Sequence, residues 1–144
     1  MLYRKSRVGD SIETFHKLCD NKENTLLLIK TTDGIIIGGF TPLTWDDHSD
    51  YKRDKETFIF SLTTNNVSKK TKIENSIYCS KNVGPSSCCF GLGNTEKKSM
   101  SQGKFDSSCS YYSDYRQIIP NNRPGKFDAK EVEIYKISFL KTNI

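Results

Sequence analysis

Thr25-Leu26-Leu27-Leu28-Ile29-Lys30, Thr31-Thr32-Asp33-Gly34 and Ile35-Ile36-Ile37-Gly38-Gly39-Phe40 form the stretch whose reading decides the fold. Two apolar runs of strand-forming residues flank a short polar turn. Asp-Gly accepts the positive φ angles that a tight hairpin demands, so the two runs pair antiparallel. Both are apolar at consecutive rather than alternate positions. That predicts strands buried on both faces, central in a sheet or sandwich. Gly38-Gly39 marks a bulge or a close backbone approach.

Upstream lies a helix. Asp10 or Ser11 caps it, and Glu13 stands three residues after Asp10, as in a capping box. Ile12, Phe15, Leu18 and Cys19 share one face, and Asp20-Asn21 stops it. A helix this short is held by packing rather than by propensity. Downstream, residues 46–55 are polar except Tyr51 and read as an exposed loop. Residues 57–63 return to strand character, with Phe58, Phe60 and Leu62 on one side and Thr57, Ile59 and Ser61 on the other. Residues 64–75 read as a surface connection and 76–79 as a short strand. Gly84-Pro85 is a turn before the apolar stretch 88–92. Residues 93–104 read as loop, and 120–125 as a turn. The last strand covers 132–139. Val132 and Ile134 share one parity and Tyr135, Ile137 and Phe139 the other, so either a β-bulge falls between Ile134 and Tyr135 or both faces are buried. Short strands, polar loops and one early helix predict an α+β domain dominated by antiparallel sheet.

A chain of 144 residues fits one domain, taken as 1–144, around one core. The apolar share is a modest 35%, but 8 Phe, 7 Tyr and 1 Trp supply large buried areas that a disordered chain lacks. The net charge of +5 reads as solubility and falls short of a nucleic-acid-binding tail. No apolar run reaches bilayer length. Met1-Leu2-Tyr3-Arg4-Lys5 has no apolar stretch behind its charges, so no signal peptide is expected. With 5 cysteines, an odd count, and no secretion signal, the expectation is reduced thiols in a cytoplasmic protein rather than a disulfide framework.

These residues carry a resemblance. Leu2-Tyr3-Arg4, Asp10-Ser11, Phe15-His16, Cys19-Asp20, the run 25–30, Asp33-Gly34, Gly38-Gly39-Phe40 and Trp45, in that order, resemble the first half of a TLDc domain. Glu56-Thr57-Phe58-Ile59-Phe60-Ser61-Leu62 resembles the family's Glu-Thr-Phe-Leu-Phe strand. Ile77-Tyr78-Cys79, Gly84-Pro85 and Phe90-Gly91 fit its middle. Phe127-Asp128 and Glu131-Val132-Glu133-Ile134-Tyr135 resemble its closing strand. The likeness runs from about Leu2 to Ile137. Two departures stand out: family members usually have more chain upstream, and their glycine-rich approach to Glu56 is Arg53-Asp54-Lys55 here. The resemblance implies a two-sheet antiparallel β-sandwich with flanking helices. It also implies a cytosolic protein linked to protection against oxidative stress. In animal relatives such domains associate with the vacuolar proton-pumping ATPase and regulate it or promote its disassembly. It supplies no catalytic residues and no cofactor.

The residues themselves offer few catalytic constellations. Glu56 stands directly before an apolar strand, where it either faces a shared polar pocket or is simply solvated. Cys88-Cys89 is a candidate redox pair, yet adjacent strand residues point to opposite faces, and buried inert thiols are the simpler reading. His16 and Cys19 have the i, i+3 spacing of a metal pair. Two ligands do not make a site, and the other histidine, His48, lies in a polar stretch. No nucleophile elbow, phosphate loop or dinucleotide fingerprint is present. Tyr111, Tyr112, Tyr115 and Arg116, with Lys69-Lys70-x-Lys72 and Lys97-Lys98, carry the ingredients of a base-stacking surface, but Asp106 and Asp114 sit among them and core packing explains them more simply. The reading is therefore a protein-interaction domain without cofactor, metal, nucleic-acid partner or transmembrane segment. Its surface is placed on the loops 41–55 and 93–104. Trp45 is either its anchor or a lid on the core. Thiol-based antioxidant or other enzyme chemistry is the alternative.

Overall fold

The computed structural model describes residues 1–94, 96, 98–119 and 124–139. Among them are β1 (Tyr3–Arg4), α1 (Lys5–Val8), α2 (Ile12–Cys19), β2 (Thr25–Thr31), β3 (Ile36–Thr41), β4 (Asp50–Lys52), β5 (Phe58–Ser61), β6 (Asn66–Lys69), β7 (Ile77–Cys79), β8 (Phe90–Asn94), β9 (Ser99–Phe105), a 3-10 turn (Tyr115–Gln117) and β10 (Gly125–Lys136). The first four residues of the turn expected over 120–125 lie outside the described residues, as does Lys97.

The chain is mostly β. One antiparallel sheet runs β6-β5-β3-β2-β10-β9-β8, with β1 also on β10, and β4 and β7 form a separate two-stranded ribbon. Sheet dominance and antiparallel pairing are as expected. The layout is one strongly curled half-barrel sheet, a small second sheet and two short helices, rather than two sheets of comparable size. Long strand β10 makes the curl. Its first residues, Gly125–Asp128, pair with β9, and its remainder pairs with β2. The register shifts between Ala129 and Glu131, and the inward parity moves from Phe127 and Ala129 to Val132 and Ile134. The bulge therefore sits at Lys130, upstream of the expected 134/135, and pairing with β2 runs unbroken past Tyr135. An extra residue bends a strand and raises its twist, and here it turns one sheet toward the other side of the core. The strand also ends at Lys136, so Phe139 lies beyond it.

The β2–β3 hairpin forms as read, with Gly34 at φ 88° in the turn. Its burial differs from the expectation. Thr25, Leu27, Ile29 and Thr31 face the core, while Leu26 and Leu28 are half-buried and Lys30 is exposed. Pairing is continuous through Gly38 and Gly39, so Gly38 marks close approach and no bulge. Helix α2 is capped by Ser11, whose hydroxyl accepts the Thr14 N–H, and buries Ile12, Phe15 and Cys19. Asp10 instead accepts hydrogen bonds from the hydroxyls of Ser99 (2.8 Å) and Ser101 (2.7 Å), tying the helix entry to β9. The stretches read as loops at 46–55 and 64–75 contain strands β4 and β6, and 93–104 holds all of β9 except its last residue, Phe105. No helix among the described residues is long and apolar enough to cross a membrane.

Candidate functional site

Trp45 closes the core. It is 5% exposed, its ring meets Phe15 edge-on at 5.9 Å, and its indole N–H donates to the Thr25 hydroxyl at 2.9 Å. Of its two expected roles, the structure places it in the interior one. His16, next to Phe15 on α2, works as a clamp. Its Nδ1 is 2.7 Å from the Asp20 carboxylate, and its Nε2 lies 2.7 Å from the Ser80 carbonyl and 2.9 Å from that of Val83. Both ring nitrogens are engaged with oxygen acceptors, so neither is directed at Cys19. Cys19 is fully buried, and burial pushes its thiol up to about 12. The His16–Cys19 pair is thus structural in geometry. Replacing His16 with alanine removes the ring that the Asp20 carboxylate and the two carbonyls all face. The expected cost is about 1–3 kcal/mol in denaturant unfolding, with no change in fold.

Glu56 is exposed. The carboxylate that organises this corner belongs to Asp54, two residues earlier. It accepts the N–H groups of Glu56 (2.9 Å) and Thr57 (2.7 Å) and the Thr57 hydroxyl (2.8 Å), and the Asp54 carbonyl accepts from the Ser76 hydroxyl at 2.6 Å. Asp54 falls within the segment that replaces the family's glycine-rich approach. An Asp four residues before a strand, as Asp54 is before β5, is a turn former.

The sulfur chemistry departs most from the sequence reading. Cys89 and Cys109 form a disulfide, their Cα atoms 5.5 Å apart. The expectation of five reduced thiols is corrected, and the physical reason is local. Cys88 and Cys89 precede β8 and lie in a bend, so strand alternation does not apply to them. The Ser87 hydroxyl accepts the Cys89 N–H at 3.1 Å, and the Ser87 N–H donates to the Phe90 carbonyl at 2.9 Å. This tight turn throws both sulfurs to one side. The Cys88 sulfur lies 2.9 Å from that of Cys109 and 3.4 Å from that of Cys89. Cys109 is delivered by the segment after β9, where the Asp106 N–H and the Tyr115 hydroxyl both donate to the Cys89 carbonyl. Cys109 was missed as a partner because pairing across twenty residues leaves no spacing signal.

Two of the three clustered tyrosines are interior, while Tyr111 is half-buried. Tyr112 and Tyr115 are 2% and 3% exposed, which removes them as stacking platforms. The Tyr112 hydroxyl donates to the Ser76 carbonyl at 2.7 Å. The Lys70 ammonium lies over the rings of Tyr112 (4.7 Å) and Tyr111 (5.3 Å), and burial holds its pKa below the ordinary value.

A different surface is apolar. Phe58, Phe60 and Leu62 do share a side, as read, and it is the side away from the core. The inward side of β5 is Thr57, Ile59 and Ser61, and the Thr57 hydroxyl meets that of Thr41 at 3.0 Å. Register aligns Leu26, Phe40 and Phe58 in one row and Leu28, Gly38, Phe60 and Val67 in the next. Ring centroids step from Phe139 to Phe40 (6.2 Å), from Phe40 to Phe58 (5.6 Å) and from Phe58 to Phe60 (6.3 Å). At its margins Leu62, Val67 and Phe139 are 58%, 55% and 66% exposed. β6 ends the strand order of this sheet, and the Ser113 N–H donates to its Lys69 carbonyl at 2.7 Å.

A curled antiparallel sheet clamped at one corner by a short capped helix, with an aromatic outer face, defines a β-rich scaffold. The TLDc domain model matches residues 1–138, and the chain belongs to the TLDc domain family. It is also similar to MTOR-associated protein MEAK7 of Danio rerio, at 32% identity over 62 residues. That stretch spans 43% of this chain and 14% of the relative.

Proposed function

We propose that this TLDc domain is a recognition module whose docking surface is the outer face of β3, β5 and β6. The observation that supports it most is the trio Leu62, Val67 and Phe139, each more than half exposed, set around an outward aromatic row in which Phe40 and Phe58 are half-buried and Phe60 is 9% exposed. Exposed apolar side chains grouped around a packed aromatic row mark protein contact sites. The opposite face of β3 and β5 turns Ile37, Thr41, Thr57, Ile59 and Ser61 into the interior, and that packing holds the outer rows in place. Rigid aromatics lose little entropy on binding. This surface replaces the 41–55 and 93–104 stretches as the interface.

The partner is a protein that presents apolar side chains of its own. What the family implies, protection against oxidative stress through the vacuolar proton-pumping ATPase, makes that pump's subunits the first partner to test. The name of the Danio rerio relative speaks of association with MTOR, and MTOR is the second. Thiol-based antioxidant chemistry is the less supported reading. The Cys88 thiol is half-buried and pushed up to about 11, so little of it is thiolate near neutral pH. The test is affinity capture with wild type and with a Leu62→Asp, Val67→Asp double variant, quantifying pump subunits and MTOR. Wild type is expected to retain one of them and the double variant to lose it. Equal capture by both, at matched folding, sinks the assignment of the surface.

A further inference from the structure

Three sulfur atoms meet at the junction of the Ser87 turn and the segment after β9. Those of Cys88, Cys89 and Cys109 all lie within 4.8 Å of one another. Cys89 is fully buried, whereas Cys88 and Cys109 are only half-buried, so the cluster has a closed floor and a solvent side. In the structure two of the three are joined as the Cys89–Cys109 disulfide, and Cys88 is a free thiol. The groups that act electrostatically on Cys88 are Lys70, which favours its anionic form, and Asp106, which opposes it; Tyr51, Tyr112 and Tyr115 are the phenols that respond to its charge. The two other free thiols, Cys19 and Cys79, are buried outside the cluster.

We infer that, once the Cys89–Cys109 disulfide is reduced, Cys88, Cys89 and Cys109 form a three-thiolate site for one soft divalent cation of the zinc class. Reduction breaks the S–S bond and adds two electrons and two protons: two reductant thiols supply both and leave as a disulfide, whereas a phosphine supplies the electrons and leaves as its oxide, with water giving the oxygen and the two protons. Cation binding then releases the protons of three thiols and forms three metal–sulfur bonds. Zinc–sulfur bonds of about 2.3 Å set tetrahedral sulfur ligands about 3.8 Å apart. Cys88 already sits 2.9 and 3.4 Å from its two neighbours, so the site needs the sulfurs only to spread. The Ser87 hydroxyl fixes the turn that carries two of the ligands by holding the Cys89 N–H. Three thiolates on a dication leave one negative charge, which the Lys70 ammonium offsets. The half-buried side leaves the fourth position to water or an added ligand, as in zinc sites with three protein donors. Disulfide and metal use the same two sulfurs, so the oxidised and metal-loaded forms exclude each other.

The test uses the whole chain, reduced with a phosphine under anaerobic conditions and freed of reductant. Zinc affinity is measured by competition with a chromogenic chelator, and cobalt(II) serves as the spectroscopic probe. Reduced wild type is expected to bind one ion with sulfur-to-cobalt charge-transfer absorption. The air-oxidised protein is expected not to bind. Cys88→Ser, Cys89→Ser and Cys109→Ser should each weaken zinc by on the order of tenfold to a hundredfold, while Cys19→Ser and Cys79→Ser leave it unchanged. Circular dichroism separates loss of ligands from loss of fold, and the Cys88→Ser variant, which keeps the disulfide pair, is the safeguard if the other two fail to fold. The inference is overturned if reduced wild type binds zinc no better than Cys88→Ser, or if the oxidised protein binds equally well.

Discussion

Gly38→Val is expected to leave the chain largely unfolded without any denaturant. A Cβ placed at Gly38 meets the Leu27 carbonyl oxygen at 2.1 Å and the Phe60 ring at 2.7 Å. The ring is a side chain and can turn. The oxygen belongs to β2, whose residue Leu28 is the register partner of Gly38, while Phe60 pairs with Gly38 from β5. Relief therefore means prying β3 from one of its two neighbours at the middle of the curled sheet. Ordinary overpacking costs about 1–3 kcal/mol, and lost strand pairing adds to that, against a total stability of roughly 5–15 kcal/mol. Even Gly38→Ala is expected to lower stability severely. Gly34→Ala is the control: nothing lies within 4 Å of its Cβ, and only the φ of 88° is unfavourable, so its cost should be on the order of 1 kcal/mol. Chemical denaturation of the three variants gives the ranking.

Phe15→Ala is the second large effect. Phe15 is fully buried and its ring sits against both Trp45 (5.9 Å) and His16 (4.9 Å). Helix α2 has only eight residues, too few to persist in water without that packing. Truncating a buried phenylalanine costs about 3–5 kcal/mol through lost transfer free energy and the cavity left behind. Here the loss also loosens the lid on the Thr25–Trp45 hydrogen bond. Denaturant unfolding followed by tryptophan fluorescence reads both, because Trp45 is the sole tryptophan. Phe15→Leu should recover most of the loss by refilling the volume.

The hairpin of β2 and β3 was legible because a strong turn dipeptide sits between two long apolar runs. Helix α2 was legible from its cap and its 3.6-residue spacing. The strands that escaped are polar or small. β4 is Asp50-Tyr51-Lys52, and β9 buries Met100, Gly103 and Phe105 among serines, glutamine and lysine. Such strands are specified by the partners they pair with, and no hydrophobic alternation betrays them. β5 shows the sharper limit. Its period was correct, but hydrophobicity alone does not say that the threonine and serine side faces inward. That is settled by the Thr41–Thr57 hydroxyl pair and by Trp45 reaching Thr25. The same inversion concealed the outer aromatic face. In β10 the change of phase was visible, yet its position at Lys130 depends on where β9 hands over to β2. The sulfur cluster was hidden for a related reason. The Ser87 turn cancels the alternation that separated Cys88 from Cys89, and Cys109 arrives from a segment whose path only the fold determines.

The most direct test of the recognition reading is equilibrium binding of the purified chain to purified vacuolar proton pump, comparing wild type with the Leu62→Asp, Val67→Asp variant. Both positions are exposed, so the two proteins should have near-equal stability. The account predicts that wild type binds and that the variant is weaker on the order of thirtyfold or more, as two desolvated apolar contacts require. Equal affinities, with both proteins folded, would contradict it and move the partner surface away from the outer face of β3, β5 and β6.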